Sequence, residues 1–440
     1  MTNIIIETSK YLMILLIACY TLFNFRFFAF SDEERKQVMC SRQIQAMFLI
    51  HLLAYLIIYL KTEDIRTVFF YLAQVVFFLT YLFLYRVFYR NVSRLLVNNA
   101  CMLLCVGFIM LTRISFDRAV RQFMIVVISA VITWIVPYIM DHVWQLSRGA
   151  WGYAGIGLAF LLVVWAVGNT TFGAQLSLEI GGISFQPSEF VKITFVFFVA
   201  AMFYRSTDFK TVVITTAVAA AHVLILVAST DLGSALLLFL VYVFMLFIAT
   251  SNWFYLGGGL AAGAAAASLA YTLFPHVQTR VEAWLNPWIY IDDKGYQITQ
   301  SLFAMGTGGW FGMGLYQGMP YRIPVVEKDF IFAAVSEEMG GIFALCVLLV
   351  CAGCFLQFMM IAGKLQAVFF KLIAFGLGVG YIVQVILNVG GVIKFIPSTG
   401  ITLPFVSYGG SSILSTFLLF NIIQGLYILK RNEEDAYEKS

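Results

Sequence analysis

Charge is what this chain has least of. Lys, Arg, Asp and Glu make up only 11% of its 440 residues, against about a quarter in a water-soluble domain, so a soluble globular fold is excluded. The formal net charge of +4 is small and scattered, which speaks against a nucleic-acid partner. Histidine is as sparse. His51, His142, His222 and His276 stand far apart and form no metal-ligand spacing, so no metal site is assigned. The seven cysteines make no disulfide framework. Cys101 with Cys105, and Cys351 with Cys354, lie inside apolar runs, where a small buried hydrophobe is favoured over a metal or redox centre. The N-terminus lacks a basic segment followed by a small-residue cleavage site, so no cleavable signal peptide is expected. No internal repeat, low-complexity tract or soluble domain is visible.

What the chain has instead is apolar length. Hydrophobic residues make up 61% and aromatics 17%, including 43 Phe. Runs of roughly 20 apolar residues recur, each long enough to cross a bilayer as a helix. They are continuous rather than alternating, so helices and not a closed barrel satisfy the backbone in lipid. The expected fold is therefore all-α and polytopic, with about thirteen spans. Three lie near 11–30, 44–60 and 67–88, three near 97–113, 119–140 and 150–168, and four near 188–204, 210–228, 232–250 and 253–274. The last three begin near Phe330, Leu372 and Ser411. A boundary near Arg94–Asn98 sets residues 1–95, with about three helices, apart from a core at 96–431 and a tail at 432–440.

Lys and Arg gather in short cytoplasmic loops. Placing the N-terminus outside puts Arg35, Lys36 and Arg42, then Arg86, Arg90 and Arg94, inside, followed by Arg148, Arg205, Lys210, Lys364, Lys371, Lys430 and Arg431. Arg113, Arg118 and Arg121 are the outside exception. This orientation puts the long segment 275–328 outside the cytoplasm.

Polar groups at membrane depth are costly and default to function, and four regions qualify. In Gly181–Lys192, Pro187 breaks the incoming chain, Ser188 is placed to cap the following helix, and Glu189 and Lys192 share one face as an i,i+3 pair. A bare helix start would explain the cap. It does not explain a lysine one turn deeper, which points to a polar-lined cavity. Asp231 opens the next candidate, either as a plain N-cap or as a functional carboxylate. The outer segment is the third. It interleaves Trp284, Trp288, Tyr290, Gln297, Gln300 and Ser301 with Glu282, Asp292, Asp293, Glu327 and Asp329. Aromatics and amides suit sugars, and carboxylates suit proton transfer to hydroxyls. A solvated loop with an interfacial aromatic belt is the plainer alternative, but the segment is long for an idle connector. Its Gly306–Gly314 stretch lacks the Gly-Lys-Ser/Thr of a nucleotide loop. The fourth region, Pro397–Ser412, is either an ordinary outer loop or non-helical backbone lining a cavity, and it includes Ser407.

Four patterns then coincide in order: Gly-x-x-Ser-Phe-Gln-Pro-Ser-Glu-x-x-Lys, Asp-Leu-Gly-Ser-Ala, Asp-Phe-Ile-Phe-Ala-x-x-x-Glu-Glu-x-Gly and Pro-x-Thr-Gly-x-x-x-Pro-Phe-x-Ser-Tyr-Gly-Gly-Ser-Ser. Together they resemble the SEDS family of cell-wall polymerases (FtsW, RodA, SpoVE) over about Asn98 to Lys430. The resemblance implies a ten-helix core in a bacterial cytoplasmic membrane, multi-pass. It also implies a glycosyltransferase that polymerises lipid II in elongation, division or sporulation, with a class B penicillin-binding protein as partner. Members usually carry the catalytic aspartate in Asn-Pro-x-x-Asp. Here Asn286-Pro287-Trp288-Ile289 is followed by Tyr290, and the nearest acids are Asp292 and Asp293. A flexible loop would absorb that two-residue shift, roughly 7 Å at most, which makes Asp292 the expected general base. Lys192 and Arg121 would face the diphosphate, with Glu189 tuning Lys192. Asp231, Gln297, Gln300, Ser301, Asp329 and Ser407 complete the expected substrate contacts. No cofactor is assigned, although a divalent cation bridging carboxylate and diphosphate suits the chemistry. Two other functions fit the same cavity. A lipid II flippase would need no base, and a scaffold activating its transpeptidase would tolerate loss of the loop carboxylates. The role of the three extra N-terminal helices is open, with a lateral docking surface as one idea.

Overall fold

The computed structural model describes residues 2–89, 91–171, 174–180 and 183–439. It describes their side chains except at 2, 3, 144, 169–171, 174–180, 183, 184 and 435–439. Among the described residues, twelve helical stretches are long and apolar enough to cross a membrane. A thirteenth of similar length, α8 (Ser188–Arg205), differs because Glu189, Lys192 and Arg205 fall within its 18 residues. The expected thirteen spans are therefore present, with three local corrections. The span expected near 119–140 is present over Phe116–His142, but its helix is interrupted as α5 (Phe116–Thr133) and α6 (Val136–His142) just before Pro137, which cannot donate to a continuous helix ladder. The span expected from Phe330 is a short α14 (Ile331–Met339) followed by α15 (Gly341–Lys364). Gly340 separates them with φ +96°, a conformation open to glycine. The polar stretch before α8 is an antiparallel ribbon of β1 (Asn169–Thr171), β2 (Ala174–Ile180) and β3 (Ile183–Phe185), in the order β1-β2-β3. Gly181 and Gly182 of the first motif lie outside the described residues.

The chain divides into two compact units. The first holds residues 1–131, 283–356 and 388–409. In it the N-terminal helices α1 (Thr2–Ala29), α2 (Glu33–Thr62) and α3 (Ile65–Phe88) pack beside α4 (Arg94–Ile114), whose residues Leu95–Thr112 are all buried. Lipid tails are as apolar as leucine, so hydrophobicity alone does not hold spans together, and hydrogen bonds and close packing do. Here Tyr20 donates to Asn99 at 3.0 Å, and Asn99 donates to Asn24 at 2.8 Å. Asn98 donates to the Cys40 carbonyl at 2.9 Å, and the Tyr55 and Thr112 hydroxyls meet at 2.8 Å. α1 and α2 are thus tied to α4 by a buried polar ladder, and α3 joins α2 through Gln74, which donates to the Tyr55 hydroxyl at 2.6 Å.

The second unit holds residues 132–282, 357–387 and 410–440. It contains α7 (Ala150–Val167), α8, α9 (Phe209–Ala228), α10 (Leu232–Thr250), α11 (Trp253–Leu273), most of α16 (Val368–Val392) and α17 (Gly410–Lys439). Gly376 permits close packing, since a Cβ there would lie 2.5 Å from the Met245 sulfur and 2.8 Å from Val196. No residue of α11 is buried, although it packs on α10, where a Cβ at Gly259 would lie 2.9 Å from Val243 and one at Gly263 2.5 Å from Phe239.

Candidate active site

The second unit builds its polar site at the start of α8. Pro187 sits at the N-cap with φ −62° and ψ −30°, and no side chain caps the helix. Ser188, expected as the cap, is instead the first helical residue, and its hydroxyl donates to Asp231 Oδ2 at 3.1 Å. Asp231 combines both roles read from the sequence. Its Oδ1 accepts the Ser234 N–H at 3.1 Å as the N-cap of α10, while Oδ2 holds Ser188. Burial raises the Asp231 carboxyl above its ordinary range, and the neighbouring Glu189 charge adds to this against the opposing hydrogen bonds.

One turn along α8, Lys192 Nζ lies 2.6 Å from Glu189 Oε2, with 12% and 13% of the two side chains exposed. Two distant helices complete the pair. Ser415 of α17 donates to Glu189 Oε2 at 2.7 Å, and Lys192 donates to Gln384 Oε1 of α16 at 2.8 Å. Ser411 accepts the Gln186 N–H at 2.8 Å and fixes the entry into α8. The result is a fully bonded ion pair that keeps some access to solvent. Such a lysine is able to stabilise an anionic leaving group, and its neighbouring glutamate orients it.

The first unit holds the remaining expected residues. Asp292 and Asp293 are both exposed, in the turn between α12 (Pro275–Leu285) and α13 (Tyr296–Gly308). That turn is tightly tied, where a flexible loop was expected. The Tyr290 carbonyl accepts the Asp293 and Gly295 N–H groups at 3.1 and 2.9 Å, and the Asp293 carbonyl accepts from Tyr296 at 3.0 Å. A Cβ on Gly295 would come within 2.6 Å of the Pro287 carbonyl, and Lys294 Nζ stands 3.9 Å over the Tyr290 ring. Gln297 donates to the Pro324 carbonyl at 2.8 Å, and Gln300 lies half-buried on the same helix. Ser301 is fully buried and donates to the Val392 carbonyl at 3.0 Å, a packing bond. The Asp329 carbonyl accepts from Asn388 at 2.9 Å. Ser407 is buried, its hydroxyl accepting the Leu403 N–H at 2.8 Å, so it pins the non-helical segment. Arg121 is exposed, with no ion pair among the described residues. Its neighbour Gln122 is the wired residue, donating to the Ser407 carbonyl at 3.1 Å and accepting from the Gly409 N–H at 3.2 Å.

The outside arginines find acids. Arg113 Nε donates to Glu338 Oε1 at 2.9 Å, a second guanidinium nitrogen reaches the Gly318 carbonyl at 3.2 Å, and its charge lies 4.2 Å from the Tyr316 ring centroid. Arg118 pairs with Glu327. Two of the three exceptions to the charge bias are thus neutralised within this unit. Glu338 is completely buried on α14, outside the membrane spans, and burial pushes its carboxyl up to about 7 against the opposing pull of Arg113. Sequence reading missed Gln384 and Ser415, and it gave no role to Ser411, Gln122, Arg113 and Glu338, which it had placed in its motifs and in the outside arginine cluster. The available signals were the motif positions of Ser411 and Glu338 and the cluster of arginines on the side where arginines are rare. Among the described residues no three His, Cys, Asp or Glu side chains converge as metal ligands.

Known proteins share this architecture. Residues 93–432 match the family model FtsW/RodA/SpoVE, described as "Cell cycle protein". The chain is 34% identical over 314 residues to a Mycobacterium tuberculosis protein named peptidoglycan glycosyltransferase RodA, covering 66% of each chain. It is 29% identical over 373 residues to a Saccharophagus degradans protein named probable peptidoglycan glycosyltransferase FtsW, covering 79% of this chain and 95% of that one. In fold it is similar to a chain from the solved structure of a peptidoglycan synthase complex that coordinates polymerization and crosslinking. That match has a TM-score of 0.66 and 22% identity, over 78% of this chain and 98% of the other. With thirteen span-length helices and a family match across three-quarters of its length, this chain is a multi-pass protein of the bacterial cytoplasmic membrane and belongs to the FtsW/RodA/SpoVE family.

Proposed function

We propose that this protein is a peptidoglycan glycosyltransferase that polymerises lipid II on the outer face of the membrane. The observation that carries the reading is the Glu189–Lys192 pair, held by Ser415 and Gln384 and still partly accessible. The named activity of its relatives supports the same chemistry. In the proposed step the 4-hydroxyl of the incoming GlcNAc attacks the anomeric carbon of the chain-terminal MurNAc from the face opposite the leaving group. Asp292 takes the hydroxyl proton, a β-glycosidic C–O bond forms, and the bond to undecaprenyl diphosphate breaks. Lys192 meets the charge that develops on the diphosphate. A class B penicillin-binding protein is the proposed partner, supplying the crosslinking that the related synthase complex coordinates with polymerization.

A non-catalytic scaffold is the second reading, favoured by one observation. Tyr290 stands where relatives carry the aspartate, in a turn whose backbone bonds resist rearrangement. Lipid II polymerisation by the purified protein with its partner separates the two, comparing wild type with Asp292→Ala, Asp293→Ala and Tyr290→Asp on a glycan gel. Chains from wild type and none from Asp292→Ala support the first reading. An inert wild type that gains activity with Tyr290→Asp establishes the second.

A further inference from the structure

The second unit carries a cavity of about 420 Å³ that the proposed reaction does not use. It lies where α15 ends and α16 begins, beside the end of α17, and Lys364, Lys371, Lys430, Glu433 and Glu434 line it. We propose that it binds the phosphate of an anionic phospholipid headgroup from the inner leaflet.

Four observations carry this. The volume is in the range of small-molecule sites, roughly 300–1,000 Å³. The charge is right for one monoanion. Three lysines against two glutamates leave a single positive charge, which matches a phosphodiester better than a doubly charged phosphomonoester. That charge is also available. Lys430 is buried and paired with Glu434 at 3.1 Å, whereas Lys364 and Lys371 make no ion pair among the described residues. Lys371, finally, sits in the first turn of α16, which has no acidic residue. A cation there opposes the helix dipole unless an anion joins it, and helix N-termini favour phosphate. The lysine and arginine bias puts this end on the cytoplasmic side, and basic pockets between span ends at that depth suit lipid headgroups.

The test is native mass spectrometry of the full chain with phosphatidylglycerol, phosphatidylcholine of the same acyl chains, and inorganic phosphate. Wild type should retain one phosphatidylglycerol that phosphatidylcholine and phosphate do not displace. Lys364→Gln with Lys371→Gln should bind it about tenfold or more weakly, with an unchanged melting temperature. Lys364→Gln alone, at an exposed position, gives a smaller loss and serves if the double variant folds poorly. Equal retention of phosphatidylcholine by wild type, or full retention of phosphatidylglycerol by these variants, overturns the proposal. Displacement by phosphate at equal concentration overturns the lipid source and assigns the cavity to a soluble phosphate.

Discussion

Glu189 and Glu338 each pair with a basic residue at under 3 Å, and the two pairs are built in opposite ways. Glu189 and Lys192 are three residues apart on one helix, and both keep about an eighth of their side chain accessible. Glu338 is completely buried, and Arg113 reaches it from a helix 225 positions away in sequence. The first pair is a surface of the site, with its remaining valences met by a serine and an amide. The second is a strut. It joins α4 to α14, while the Glu337 and Glu338 carbonyls accept the Met313 and Gly314 N–H groups at 2.9 and 2.8 Å. A pair built locally and left accessible is positioned for a ligand. A pair drawn from distant helices, with its carboxylate sealed from solvent, serves the fold.

Removing one partner from each pair separates the two roles most sharply. Arg113→Ala leaves the Glu338 carboxyl buried without its cation, at a cost of about 3–5 kcal/mol. Thermal unfolding in detergent should show a large fall, greater at pH 8 than at pH 6, because protonation of Glu338 relieves the unpaired charge at the lower pH. Lys192→Ala should do the reverse, lowering lipid II polymerisation by roughly 10²–10³-fold with a melting temperature within a few degrees of wild type. If Lys192→Ala unfolds the protein while Arg113→Ala stays folded and inactive, the assignment of roles is wrong.

Smaller effects refine the comparison. The folded state holds the Glu338 proton up to about pH 7, whereas an unfolded chain releases it near 4.3. The folded state therefore binds the extra proton between those values, and stability falls as pH rises through that window and levels off above it. The full effect is on the order of 3 kcal/mol. Glu338→Gln should flatten this part of the profile in melts from pH 5 to 8. Gly312→Ala tests the strut's packing. Its φ is +74° and a Cβ would lie 2.5 Å from the Glu338 carbonyl, so the melt should fall by the equivalent of about 1–3 kcal/mol. Ser188→Ala should cost least, about 1 kcal/mol, because Asp231 keeps its cap to Ser234. A loss of polymerisation beyond tenfold from Ser188→Ala, with stability intact, would move Asp231 into the reactive site.

The legible part of the site was its local part. Pro187, Glu189 and Lys192 announce a helix start and an i,i+3 pair through spacing alone, and the pair forms. Asp231 was legible as a cap for the same reason, and it caps. Ser188 was misread because proline took the N-cap position and freed the hydroxyl for another helix. The expectation of Ser301 and Ser407 as substrate contacts came from the family resemblance. Sequence does not show whether such a hydroxyl meets a substrate or the nearest carbonyl or amide, and both meet backbone.

The sequence by itself determined the helical class, the thirteen spans, most of their starts and the polar pair at the head of α8. Each follows from hydropathy, breaker residues or helical spacing, which act over one or two turns. Only the tertiary structure decided that Gln384 and Ser415 complete the pair, that Arg113 and Arg118 are neutralised, that α1 and α2 are tied to α4, and that the expected span at Phe330 breaks at Gly340. A buried polar group must find a partner, but which partner depends on which helices pack together. That choice is spread over hundreds of residues and leaves no local mark.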